Sequence, residues 1–106
     1  MGKFSSFESV EGFEWDESKN ALNFEKHGLD FDEAKEIFRD YVLLRRSDRH
    51  NEERWIAIGM TYGRIVAVIF TQRGGNIRII SARHPRPNEK REYRHAQMER
   101  SNEGQD

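Results

Sequence analysis

Apolar residues change their spacing part-way along the chain. Up to Tyr41 they recur at intervals of three or four, whereas from Tyr41 to Arg83 they gather into short runs broken by glycine and charge. The first pattern predicts helices and the second strands. Asp16 is placed to cap a helix over Glu17–His27, with Gly28 as its stop and Lys26 and His27 in the last turn, where positive charge is favoured. Asp30 and Glu33 have capping-box spacing. Phe31, Ala34, Ile37 or Phe38, and Tyr41 form one apolar stripe, so a second helix is expected there. Strands are expected over residues 41–45, 54–61, 64–71 and 77–83. Tyr62-Gly63 and Gly74-Gly75-Asn76 are tight connections, which make neighbouring strands antiparallel and the sheet a meander. Phe13-Glu14-Trp15 alternates like a short edge strand.

The remaining segments are polar. Residues 1–12 lack periodicity and read as a flexible leader, and residues 47–53 as a polar loop. Pro85 and Pro87 interrupt regular structure, but Pro87 suits the first turn of a third helix running to about Arg100. Its apolar residues are few: Tyr93, Ala96 and Met98. Residues 101–106 read as a disordered tail. The expectation is an α+β fold in a single domain over residues 13–100, with a sheet of about four antiparallel strands, two N-terminal helices and one C-terminal helix.

A length of 106 residues suits one self-sufficient core. The chain has no cysteine, hence neither disulfides nor thiolate metal sites, and no long apolar stretch for a membrane span or secretory signal; a cytoplasmic protein is expected. The four histidines include no His-x-x-x-His pair, and the glycines form no dinucleotide fingerprint or phosphate loop. No metal or cofactor is therefore expected.

Charge adds a direction. Residues 1–40 hold 5 Lys/Arg against 11 Asp/Glu, whereas residues 41–100 hold 13 against 6, so the near-neutral total of −1 conceals a dipolar chain. All but one of the basic residues in the second half are arginines, whose planar fork binds phosphate oxygens bidentately. Several stand at strand ends: Arg64, Arg73, Arg78 and Arg83. There the stem lies against apolar neighbours and the guanidinium reaches the rim. A solvated surface that merely balances the acidic half fits the same charge distribution.

The ordered set Phe13-Glu14-Trp15-Asp16, Lys26-His27-Gly28, Phe31 with Glu33-Ala34, Glu53-Arg54, and Arg78-Ile79-Ile80-Ser81-Ala82-Arg83 followed by Glu89 and Tyr93 resembles the BrnT toxins of bacterial type II toxin-antitoxin systems. The likeness covers about residues 13–95. It implies a RelE-like ribonuclease that cleaves RNA without a metal. It also implies neutralisation by a BrnA-like ribbon-helix-helix antitoxin, in a 2:2 complex that meets operator DNA only through the antitoxin. Pro85 and Pro87 depart from the family pattern at the start of the third helix.

Metal-free cleavage uses the 2′-OH as nucleophile and needs a base, an acid and stabilisation of the phosphorane charge, of which the last is usually largest. Under this resemblance the catalytic candidates are Arg64, Arg78, Arg83, Tyr93, Glu53 and His84, and the RNA-binding candidates are Lys26, His27 and Arg73. Arg83 leads, as a rim-facing strand-end residue whose truncation should leave the core intact. Arg78 and Arg83 are five apart, so they face opposite sides of an ideal strand. Their convergence requires a bulge. Histidine titrates nearest neutrality, which recommends His84 beside Arg83. Glu53 serves either as a base or as a salt-bridge partner, and Lys26 and His27 either meet phosphate or complement the helix dipole. The competing class is a non-catalytic basic module that docks a protein or nucleic acid.

Overall fold

The computed structural model describes residues 2–103, and the sheet is wider than the four expected strands. Strands β1 (Lys3–Ser5), β2 (Gly12–Glu14), β3 (Val42–Arg46), β4 (Trp55–Thr61), β5 (Arg64–Arg73) and β6 (Asn76–Arg83) form one sheet in the order β1-β3-β4-β5-β6-β2. The meander β3 to β6 is antiparallel as expected, and the N-terminal segment adds both edges, β1 antiparallel to β3 and β2 parallel to β6. Helix α1 (Glu17–His27), the single turn α2 (Phe31–Ala34), a 3-10 turn (Lys35–Arg39) and helix α3 (Pro87–Glu103) complete the α+β architecture.

The reading of residues 1–12 as a flexible leader is corrected. Phe4 pairs with Leu43 across the β1–β3 ladder and stacks 5.4 Å from Tyr41, and Phe7 meets Phe38 and Phe70 edge-on at 5.3 and 5.8 Å. Two isolated aromatics in so short a segment make no visible period, yet each buries enough area to dock its part of the chain. The tail is corrected in part: α3 continues through Glu103, and residues 104–106 lie outside the described residues.

Helix α1 has the expected boundaries. The Asp16 carboxylate accepts from the Ser18 amide at 2.9 Å, and Gly28 adopts a left-handed conformation (φ 70°) with its amide on the Phe24 carbonyl. The inward face of α1 is polar. Asn20 Oδ1 accepts from the Phe31 amide, while Asn23 accepts from the Ala82 amide at 3.1 Å and donates to the Leu29 carbonyl at 2.9 Å. Asn23 thus binds α1 to the end of β6.

The second helix is shorter than the stripe predicts. After Ala34 the chain tightens into a 3-10 turn, and by Asp40 it is extended. Ile37 and Phe38 both enter the core, and Gly59 makes room: a Cβ there would lie 2.8 Å from that of Ile37. The capping box is not formed either, because Asp30 caps the turn while the Glu33 carboxylate reaches Arg64.

The sheet separates two cores. One face packs Phe31, Phe38, Val68, Phe70 and Ile79 under α1 and α2; the other packs Leu43, Ile58, Ile65, Ala67 and Tyr93 under α3. Helix α3 covers only part of its face. The row Arg45–Ile56–Ile69–Ser81, aligned across β3 to β6, borders an open cleft.

Replacing Asn23 with Ala strands the Ala82 donor and the Leu29 acceptor away from water and should cost about 3 kcal/mol. Urea unfolding is expected to show a lower midpoint with an unchanged slope; an unaltered midpoint would contradict this role.

Candidate nucleic-acid interface

The register of β6 on β5 slips between Ile69 and Phe70, whose partners are Ser81 and Ile79, leaving Ile80 as the extra residue. This bulge supplies the parity change that the sequence requires. Ile77, Ile79 and Ala82 point into the helix-covered core, and Arg78, Ile80, Ser81 and Arg83 share the opposite, open face.

Around them a cavity of about 270 Å³ is lined by Ser47, Arg49, Arg54, Ile56, Ile69, Ile80, Ser81, Arg83 and Arg86. The segment expected to be a polar loop builds one wall. Ser47 pairs with Arg54 and Arg49 with Glu52, around a His50-Asn51 turn in which both residues have positive φ (53° and 59°). This two-residue turn has the form that continues a hairpin's twist. It fixes Arg49 and Arg54 over the cleft.

Arg83 is not a free rim residue. Its Nη1 and Nη2 donate to the two oxygens of Glu89 at 2.8 and 3.0 Å, and Nη1 also reaches the His84 carbonyl at 3.2 Å. The Glu89 side chain is 0% exposed, receives the Arg86 amide at 2.8 Å and lies 3.9 Å from Arg45. Burial alone would raise the Glu89 carboxyl, but the bonds from Arg83 and the Arg86 amide, with the charges of Arg83 and Arg45, hold it below its ordinary 4.5. The guanidinium of Arg83 is stabilised in turn by Glu89. The expectation that truncating Arg83 leaves the core intact is corrected, because Arg83→Ala would leave a buried carboxylate without its main partner.

Arg78 is 29% exposed and 3.7 Å from Glu14. Arg54 donates to Glu52 at 2.8 Å, and Arg73 and Arg78 add to the positive surroundings that hold the Glu52 carboxyl low. Glu53 does not join this face. Its carboxylate is 62% exposed and lies 3.7 Å from Arg46, whose guanidinium covers the Trp55 ring that packs on the helix-covered core.

The remaining candidates lie elsewhere. Arg64 opens β5 and Arg73 closes it, about 30 Å away at strand rise, so the two cannot clamp one phosphate. Arg64 is bound to Glu33 at 2.7 Å and shares a notch with His84, Pro85, Lys90 and Arg94. The His84 Nε2 is 3.2 Å from the His27 carbonyl, joining His84 to the end of α1, where exposed Lys26 also stands. Tyr93 is placed as a core anchor of α3: 4% exposed, it packs 6.0 Å from Phe4, and burial raises its hydroxyl pKa.

The structure therefore joins Arg73, Arg78 and Arg83 on the open face and Arg64 and His84 at the far end. Arg45, Arg49, Arg54 and Arg86 also belong to this face, and their sequence signals are faint: Arg45 shares strand parity with Leu43, and Arg86 stands three residues before Glu89. Among the described residues no group of three His, Asp or Glu side chains is arranged to hold a metal ion. No helix there is long and apolar enough to cross a membrane.

Residues 15–89 match the family model described as the ribonuclease toxin BrnT of type II toxin-antitoxin systems. The chain belongs to the BrnT family. No curated protein matches it. Family membership makes it a toxin with ribonuclease activity whose system includes an antitoxin. The matched segment carries the bulge, the arginine face and, as its last residue, Glu89. In this BrnT chain β1, β2 and α3 beyond Glu89 lie outside the match.

Because the folded Glu89 carboxyl titrates below its ordinary value, the stability it contributes is present above about pH 4.5 and is lost as pH falls through the folded value. Glu89→Gln should lower stability at neutral pH and flatten the acid limb of a stability profile. An unchanged limb would remove Glu89 as its source.

Proposed function

We propose that this BrnT toxin is a metal-independent endoribonuclease acting on RNA in the cytoplasm, with the arginine face of β6 as its phosphate site. The observation that carries this reading is the bulge at Ile80, which turns Arg78 and Arg83 to one face of β6 and sets Arg83 beside Arg49, Arg54 and Arg86 in the cleft lining. The 2′-oxygen attacks phosphorus, the P–O5′ bond breaks, and a 2′,3′-cyclic phosphate and a 5′-OH result. Fixed guanidinium groups on a rigid sheet meet the added negative charge of the phosphorane with little reorganisation. Arg78, Arg54 and Arg49 take the direct phosphate contacts, and Arg83 is a positioning residue, since Glu89 holds its fork.

His84 follows Arg83 in the wall shared by the cleft and the far notch, and proton transfer is assigned to it from there; Glu53 is left as an ion-pair partner of Arg46. RelE-like ancestry is consistent with a helix-flanked, mostly antiparallel sheet. Lys26, His27 and Arg64 flank the path of the RNA at the His84 end. The antitoxin is a BrnA-like ribbon-helix-helix protein in a 2:2 complex, which reaches operator DNA through its own domain and silences the toxin by covering the arginine face. Charge steers that encounter.

Cleavage by the purified chain is expected to persist in EDTA and to leave cyclic phosphate ends. Arg78→Ala should lower the rate about 100-fold with an unchanged circular dichroism spectrum, and His84→Gln should lower the rate without changing that spectrum. Activity lost to chelator and restored by a divalent cation would contradict the mechanism. RNA binding without any cleavage would favour the non-catalytic basic module.

A further inference from the structure

The arginine cleft and the notch at the far end share a wall, the segment from Arg83 to Arg86, and α3 carries basic charge from one to the other. Arg86 lies over the cleft, while Lys90 and Arg94 line the notch of about 400 Å³ with Met60 and His84. The Lys90 amide donates to the Arg86 carbonyl at 3.0 Å, so these positions follow at successive helical turns. Arg86, Lys90 and Arg94 therefore form one exposed stripe about 12 Å long. The inward stripe of the same helix is different: Glu89, Tyr93 and Ala96 face the sheet. Helix α3 thus presents a basic side without interrupting its anchor. Lys90 and Arg94 make no salt bridge among the described residues, unlike Arg54, Arg78 and Arg83, which each have a carboxylate close by.

We infer that single-stranded RNA runs beyond the scissile phosphate along this stripe, with Lys90 and Arg94 holding phosphates of the same strand outside the cleft. The occupant is argued from charge complementarity and from continuity with the cleft through Arg86. It rests on the reading of the cleft as an RNA site. Its consequence is a dependence on length: a short oligonucleotide fills the cleft alone, whereas a longer one also engages α3.

The probes are 2′-O-methyl oligonucleotides of 4 and 12 nucleotides, which lack the attacking hydroxyl and report binding without cleavage. Wild-type protein is expected to bind the longer at least tenfold more tightly. The double variant Lys90→Ala/Arg94→Ala, altered only at exposed side chains, should lose most of that advantage and leave the 4-mer affinity unchanged. Its salt dependence for the 12-mer should fall in slope by about 1.4, for two phosphate contacts on a single strand. Lys90→Glu/Arg94→Glu should weaken the 12-mer further. Wild-type affinity and slope in the double variant, or equal losses for both lengths, would overturn the track while ribonuclease activity on natural RNA still stood. Failure of the wild-type protein to bind either probe or to cut RNA would overturn both the track and the reading of the cleft.

Discussion

Glu89 carries a negative charge with no solvent exposure at the junction between the last strand and the last helix, and the arrangement of the open face depends on what neutralises it. The carboxylate takes both forks of Arg83, accepts the Arg86 amide and faces Arg45. Breaking such a pair by removing one partner costs about 3 to 5 kcal/mol, because the survivor is left charged and dry. Helix α3 offers little else to hold its start, since its apolar contacts begin a turn later at Tyr93. The pair therefore sets where the helix begins, how far it covers the sheet, and which arginines remain in water.

Two further constraints act on the arginines of the open face. The bulge at Ile80 turns Arg78 and Arg83 to one side, and Asn23 of α1 receives the Ala82 amide immediately beyond it. The His50-Asn51 turn lifts Arg49 and Arg54 over that surface. These devices belong to backbone geometry rather than to side-chain chemistry alone. Strand β5 pairs with β6 along its length, and β2 adds a second ladder at Asn76–Arg78.

The sequence was most legible where one signal was local. Asp16 and Gly28 bounded α1, and Tyr62-Gly63 fixed the β4–β5 hairpin, because caps and turns are decided by a few adjacent residues. The docked N-terminal segment was not legible: Phe4 and Phe7 acquire meaning only against Tyr41, Phe38 and Phe70. The same limit applied to the site. The need for a bulge followed from the five-residue spacing of Arg78 and Arg83, but the capture of Arg83 by Glu89 did not, since it requires the chain to turn back at Pro85 and Pro87. Arg45, Arg49 and Arg86 were hidden for a related reason, as residues of separate segments that meet only in the folded sheet. Glu53 and Tyr93 had suitable chemistry, but tertiary packing directs one towards Arg46 and buries the other.

On the proposed reading, RNA meets the open sheet face framed by the Arg83–Glu89 pair. Backbone amide shifts recorded while an uncleavable 2′-O-methyl RNA is added to the intact chain test it most directly. The largest changes are expected at Arg49, Arg54, Arg78, Ser81 and Arg86, with the acidic surface from Asp30 to Glu36 unaffected. Changes concentrated on that acidic surface or on the outer side of α1, with the β6 face silent, would contradict it.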